Sequence, residues 1–233
     1  MFADAVQPAS GMVGAGGGSV PMDYIARWDM NGDSADETGN YNITLYGGAT
    51  QNADSVSYDG INDYGQCSRL AFNNNQFTIV QKFKAGPIDQ SNGLWIACSR
   101  TTATGTRNEW EVAVYPPNFD DSLLFVVTNT AGASTIVEGP TITSGTVYTF
   151  AFRFTGGHVE IYDDTGALVA QAEFTGTMNT GSLHTRFAIQ AWTSATVSSC
   201  GEMDQYRGVA YARALTASEL PVVINKIKNG WQS

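Results

Sequence analysis

The stretch that most restricts the fold of this 233-residue chain is Val147 to Thr155, where Tyr148, Phe150, Phe152 and Phe154 occupy alternate positions. A period of two gathers these rings on one face of an extended strand, whereas a helix would scatter them around its circumference. Gly156-Gly157 then supplies a turn into Val159-Glu160-Ile161-Tyr162, and Asp163-Asp164-Thr165-Gly166 a turn into Ala167-Leu168-Val169-Ala170. The expectation is a three-stranded antiparallel meander whose aromatic face needs a second layer to cover it.

The same grammar runs through the chain from Tyr24. Phe77, Ile79 and Phe83 share one face of a strand and Lys82 and Lys84 the other, the pattern of a half-solvated strand. Further strands are expected at Ile25 to Met30, Ile43 to Tyr46, Leu94 to Cys98, Glu109 to Tyr115, Leu123 to Thr128, Arg186 to Trp192 and Tyr206 to Arg213. So many short strands, with 25 glycines for their turns, predict a sandwich or barrel. In Val56 to Gln66, two strand-like runs meet at Asp59-Gly60 and Asn62-Asp63, which makes either a hairpin or a tight sheet corner. One helix is expected near the end. Thr216 and Glu219 have capping-box spacing, Leu220, Ile224, Ile227 and Trp231 follow at helical intervals, and Asn229-Gly230 supplies the stop. Pro221 makes the first turn irregular or marks where the helix begins.

A content of 42% hydrophobic and 15% charged residues suits one well-filled domain. The net charge of −10, with no cluster among the 12 basic residues, argues against nucleic-acid or anionic-membrane partners. No apolar run reaches the roughly 18 residues of a membrane span, so no membrane insertion is expected. Cys67, Cys98 and Cys200 lack any Cys-x-x-Cys spacing. They read as free thiols packed like small apolar residues, with one long-range disulfide as the alternative.

Residues 1–21 differ from the rest, because Gly11 to Ser19 is too glycine-rich to build a core. They read as an N-terminal arm, with Met12, Val13, Gly16, Gly17 and Gly18 as its assembly residues, ahead of a domain over 22–233. Met1 to Pro8 has neither the basic start nor the apolar run of a secretory signal, so synthesis in a host cytoplasm without export is expected.

Several segments resemble, in order, the marks of laminin-G-like, concanavalin A-like jelly rolls. Ser57-Tyr58-Asp59-Gly60-Ile61-Asn62-Asp63-Tyr64 is similar to the family's "SFDG-x-ND-Y". Ile25 to Asp33 with Asp36-Glu37-Thr38-Gly39-Asn40 resembles its opening strand and "D-S-S-G-N" loop, and Leu45 to Ala49 the next strand. Phe77-Thr78-Ile79 resembles the "FTI" strand, Ile161 to Ala170 the "LYVNGELVA" hairpin, and Tyr211 to Leu220 the closing "YNRALTAAEI" strand and helix. The resemblance implies an all-β, two-sheet antiparallel jelly-roll sandwich in which the first and last strands pair. Fold alone does not give function, since this architecture hosts lectins, glucanases, adhesion modules and virion proteins.

A glucanase of this kind carries Glu-x-Asp-x-x-Glu on one strand face, because retaining hydrolysis needs paired carboxylates. Glu109-Trp110-Glu111 and Glu202-Met203-Asp204 do not complete it, and Glu109 and Glu111 are expected on the solvated face of a strand whose Trp110, Val112 and Val114 point inward. His158 and His184 have no Ser or Cys nucleophile motif beside them. No catalytic residue is assigned. Calcium is the candidate cofactor: Asp29, Asn31 and Asp33 alternate as oxygen ligands can, with Asp36 close behind. The resemblance adds Asp204, from a closing strand that approaches the Asp36 loop. The competing reading is that all of these are turn formers. For sugars, Trp95, Trp110, Trp192, Tyr115 and Tyr206 are available as platforms, although alternating aromatics usually build core, and no residue pattern singles out a glycan.

These readings combine into a non-catalytic virion structural or decoration protein of a phage, anchored by its arm to other virion proteins or to further copies of itself. The phage origin is implied by analogy with laminin-G-like virion proteins. The alternative is a carbohydrate-binding adhesion module that recognises a host glycan, with glycoside hydrolysis behind both.

Overall fold

The computed structural model describes residues 19–72, 75–88, 93–100, 109–114, 120–180, 184–193 and 196–231. The assembly residues Met12, Val13, Gly16, Gly17 and Gly18 lie outside that set. In chain order the strands are β1 (Ala26–Trp28), β2 (Thr44–Tyr46), β3 (Thr50–Gln51), β4 (Val56–Asp59), β5 (Tyr64–Ser68) and β6 (Phe77–Ala85). Next come β7 (Leu94–Arg100), β8 (Trp110–Val114), β9 (Ser122–Thr128), β10 (Ser134–Thr141), β11 (Val147–Phe154) and β12 (His158–Tyr162). The last are β13 (Leu168–Glu173), β14 (His184–Phe187), β15 (Ile189–Thr193), β16 (Thr196–Cys200), β17 (Glu202–Tyr211) and one helix, α1 (Leu220–Asn229).

They form a two-sheet antiparallel sandwich. The first sheet runs β13-β12-β11-β6-β17-β4-β3 with β1 also on β17, the second β10-β9-β8-β7-β14-β5-β2, and β15 and β16 make a separate hairpin. The expected meander is β11-β12-β13, and its aromatic strand lies against β6 with Phe152 opposite Ile79 and Phe154 opposite Phe77. Phe77, Phe83, Phe152 and Phe154 are fully buried there against Trp110 and Phe125 of the second sheet. Phe77 lies 5.9 Å from both of those rings, and Phe125 lies 5.5 Å from Phe152. Burial of each such side chain contributes roughly 2 kcal/mol. The first and last strands do pair, Ala26 opposite Ala210.

Several details depart from the sequence expectations for local reasons. Arg186 to Trp192 is not one strand, because Ala188 adopts φ 61° and splits it into β14 and β15. Strand β10 escapes a composition reading because it contains Gly139 and Pro140, and Pro140 is tolerated because β10 lies at a sheet edge. Strand β6 is not half-solvated. Val80, on the face expected to be polar, is buried with Ala151, Val209 and Tyr211 beneath Leu220, Val223, Ile224 and Ile227 of α1. Segment Val56 to Gln66 is a corner rather than a hairpin, since β4 belongs to the first sheet and β5 to the second.

Cys67, Cys98 and Cys200 are buried and none is in a disulfide. Burial pushes the Cys67 thiol up to about 12 and the Cys200 thiol to about 11, which keeps both in their unreactive protonated form. Among the described residues, no helix is long and apolar enough to cross a membrane.

The capping box closes just ahead of α1. The Thr216 amide donates to the Glu219 carboxylate at 2.8 Å and the Glu219 amide to the Thr216 hydroxyl at 3.3 Å. Arg213 adds two bonds to the same carboxylate at 2.8 Å and two to Asp23 at 2.6 and 3.1 Å. Upstream of Asp23 the chain is already seated on the domain: Val20 packs against the helix layer and the Tyr211 hydroxyl donates to the Pro21 carbonyl at 3.0 Å. Arg213 first, and then the Thr216 bonds, hold the Glu219 carboxyl down at about 2 from its ordinary 4.5. A depressed acid stabilises the fold above its ordinary value and stops doing so as pH falls through the depressed one. Glu219→Gln should therefore lower the unfolding free energy by about 1 kcal/mol at neutral pH. In urea titrations, the gap between the variant and the parent should close as pH falls from 4.5 toward 2.

Candidate functional site

At one rim of the sandwich three chain reversals meet. Gly47 follows β2 with φ 81°, and a Cβ there would stand 2.2 Å from the Asn62 carbonyl, so the β2–β3 turn rests directly on the β4–β5 corner. Gly60 follows β4 with φ 75°, and a Cβ there would meet the Glu202 amide at 2.9 Å, which binds the corner to the start of β17. Only glycine fits either position. The Gly86 amide, just after β6, donates to the Glu202 carbonyl at 2.9 Å.

These turns enclose a cleft of about 520 Å³ lined by Gly48, Thr50, Ser57, Asp59, Asp63, Lys84, Glu202 and Asp204, with Tyr58 and Met203 among its walls. The Asp59 carboxylate accepts its own turn's Ile61 amide at 2.8 Å. Asp63 is 4% exposed; one of its oxygens accepts the Asp59 amide at 3.1 Å, and the other, Oδ1, is buried with no hydrogen-bond partner. Burial raises the Asp63 carboxyl above the usual aspartate range, with the Asp59 amide pulling it back and the Asp59 charge adding to the rise. Asp204 accepts the Ser57 hydroxyl at 2.5 Å and lies 3.6 Å from the Lys84 ammonium.

At the second-sheet side of the same corner, Tyr46 of β2 stacks on its cross-strand partner Tyr64 of β5, with centroids 4.7 Å apart and planes 10° apart. Tyr46 is 39% exposed, so the pair is partly open to solvent at a sheet edge. Gly48 and Asp63, close to these tyrosines in sequence, line the cleft itself. Neither tyrosine is marked by composition, because aromatic residues in strands usually point inward. The signal was their position, each one residue from the turn chemistry of Gly47 and Asp63.

The calcium candidates are divided between two places. Asp29, Asn31, Asp33 and Asp36 line a second cleft, together with Arg27, Arg207 and Trp231, whereas Asp204 belongs to the first. Asp36 is 4% exposed, and its oxygens accept the Arg27 amide at 2.7 Å, the Tyr41 amide at 3.1 Å, the Asn40 amide at 3.2 Å and the Thr38 hydroxyl. That carboxylate ties the 36–41 loop to β1. Asp29 is paired with Arg27 at 3.1 Å, and burial raises its carboxyl despite that arginine. Asp33 accepts the Ala35 amide at 3.1 Å, the bond of a turn former, and Asn31 is exposed. Among the described residues no group of three or more His, Cys, Asp or Glu side chains converges as a metal site.

Glu109 and Glu111 are not on a solvated face. They are 0% and 6% exposed, and Arg69 binds both Glu109 oxygens at 2.9 and 3.1 Å while the Ser99 hydroxyl donates at 2.9 Å. Trp95 and Trp110 are 1% exposed and serve as core, and Tyr206 is half-buried with the Lys82 ammonium 5.5 Å from its ring. Tyr115 and the side chain of Trp192 lie outside the described residues.

Asp36→Ala should lower the unfolding free energy by about 2 kcal/mol, because it strands several buried amides. Urea denaturation should give the same loss in EGTA and in calcium; a loss confined to calcium would show a metal ligand instead.

No protein-family model and no curated protein matches the sequence. Solved structures match the fold. The Trypanosoma rangeli sialidase in complex with 2,3-difluorosialic acid has a TM-score of 0.70 at 14% identity, covering 97% of this chain and 36% of that one. The binding domain of botulinum neurotoxin DC in complex with SialylT has a TM-score of 0.67 at 12% identity, covering 89% and 52%. The binding domain of botulinum neurotoxin serotype C1 has a TM-score of 0.65 at 12% identity, covering 87% and 51%. The chain thus spans about half the length of the toxin domains and about a third of the sialidase. At such identities the likeness is one of fold, a two-sheet β-sandwich.

Proposed function

We propose that this protein is a non-catalytic glycan-binding module that holds a sugar at the rim cleft, against the Tyr46–Tyr64 stack. One observation carries this reading. The half-exposed Tyr46–Tyr64 stack and a cleft whose Asp59, Asp63, Ser57, Thr50 and Asp204 side chains supply acceptors and hydroxyls adjoin the same β4–β5 corner. A sugar needs those two elements together, since its C–H face stacks on a ring while its hydroxyls need partners in fixed directions. The fold neighbours crystallised with 2,3-difluorosialic acid and with SialylT support the class of ligand by analogy of architecture. A glycan array should give binding by the full chain. Tyr46→Ala, at an exposed position, should weaken the best ligand about tenfold in calorimetry while leaving the melting temperature unchanged. An array without binders, or a variant that binds as the parent does, would sink this reading.

A second reading, display of this module on a phage particle, is favoured by the way residues 20–23 are moored. Val20, Pro21 and Asp23 are held by the helix layer, Tyr211 and Arg213, so a segment preceding them would transmit its anchorage straight to β17. Deleting residues 1–18 should leave the melting temperature unchanged and abolish incorporation into particles; normal incorporation would remove the arm from the assembly.

A further inference from the structure

The second sheet carries a polar strip on the face turned away from the core, and the tyrosine stack stands at one end of it. Residues two apart in a strand share a face, and so do cross-strand partners. Leu45 of β2, Cys67 of β5 and Phe187 of β14 pack in the main core, so Thr44, Tyr46, Tyr64, Gln66 and Arg186 take the opposite face. Register sets Tyr46 beside Tyr64 in one row, and Thr44, Gln66 and Arg186 side by side in the next. Thr44 is exposed, and Gln66 and Arg186 are half-buried. We propose that this strip recognises sugars bearing a carboxylate, with Arg186 and Gln66 holding the acid while the sugar ring lies on the tyrosine stack. The inference rests on the glycan-binding reading above and names its class of ligand.

The physical reason is the state of Arg186. Its Nε donates to the Gln66 Oε1 at 2.9 Å, a bond that sets the guanidinium beside the Gln66 amide. The terminal nitrogens of Arg186 and the Gln66 amide nitrogen reach solvent with no partner among the described residues. A planar fork with two open donors matches the two oxygens of a carboxylate. Other arginines already hold acids: Arg27 with Asp29, Arg69 with Glu109, Arg153 with Glu160 and Arg213 with Asp23. Arg186 is bonded to a neutral amide instead. In its own row the next acid is Glu111, beyond Cys98, two strand spacings or about 10 Å away and only 6% exposed. Arg207 also lacks an ion pair, but it lines the second cleft among Asp29, Asp33, Glu37 and Asp54, whose field repels an acid. Tyr64 stands diagonally across from Arg186, about 7–8 Å along the sheet, so one ligand spans both. Asp59 and Asp63 precede Tyr64 at the corner, whereas Gln66 follows it, so a carboxylate is drawn along β5 away from the rim acids.

Titration calorimetry of the full chain with two matched pairs tests this: trigalacturonate against its methyl ester, and sialyllactose against lactose. In at least one pair the acid should bind about tenfold more tightly than its neutral counterpart, and which pair does so separates a uronate from a sialic acid as the source of the carboxylate. Because the chain carries a net charge of −10, non-specific attraction would give the opposite order. Arg186→Gln should bring the acid to the affinity of its neutral counterpart, leave that counterpart unchanged and keep the melting temperature. Arg186→Lys, which retains the charge without the fork, should restore only part of the preference. Tyr46→Ala should weaken acid and neutral probes alike. Equal binding within both pairs, or a preference that survives in Arg186→Gln, overturns the inference. If neutral glycans bind in a Tyr46-dependent way without acid preference, this inference alone fails; if no glycan binds at all, the glycan-binding reading fails with it.

Discussion

The structure depends on the aromatic face shared by β6 and β11. Phe77, Phe83, Phe152 and Phe154 present more apolar surface than one sheet can shelter, and only a second sheet carrying Trp110, Phe125 and Phe187 closes over them. Once those faces meet, the strands that bring the chain back between sheets are forced to the rims. The β4–β5 corner is one such crossing, and the cleft, the tyrosine stack and the unpartnered Asp63 oxygen all lie around it. The candidate site is thus a by-product of how the sandwich turns its corner, kept in place by Gly47 against Asn62 and Gly60 against Glu202.

The first sheet is buried on both sides along its centre, which explains why its strands do not show a simple alternation. Val80, Ala151, Val209 and Tyr211 serve a smaller apolar layer beneath α1, while their odd-numbered or even-numbered neighbours serve the main core. That helix is fastened at its start by the Thr216 and Glu219 exchange and by Arg213, which also reaches back to Asp23. Polar side chains do enter the main core: Gln205 accepts the Tyr58 hydroxyl at 3.0 Å, and Gln81 lies beside Gly208, where a Cβ would approach its amide at 3.0 Å.

Much of the fold was legible because its signals are local. Alternating phenylalanines, paired glycines and a Thr-x-x-Glu sequence act over a few residues, and each appears where expected. What escaped depends on contacts distant in sequence. Nothing near Glu109 indicates that Arg69 will neutralise it, and nothing near Lys82 indicates that a helix more than a hundred residues later will cover Val80. The site was legible only as a stretch. Val56 to Gln66 stood out for its turn residues, but that Asp63 would keep an oxygen without a donor, and that Tyr46 would lie on Tyr64, followed from cross-strand register. Asp36 shows how distant contacts add to a local signal: its oxygens accept amides of the 36–41 loop and also the Arg27 amide of β1.

The position of β17 has a consequence for how the chain reaches this state. It lies between β6 on one side and β4 with β1 on the other, so the centre of the first sheet is completed by the last of the described strands, while all three partners end by Ala85. During synthesis, β6 must wait with one edge open until residues 202–211 emerge, and that long loop has to close before the pairing returns any stability. Completion of the first sheet is therefore deferred until β17 has emerged. Any chain interrupted before β17 exposes an apolar, unpaired strand edge, the feature that most readily seeds aggregation.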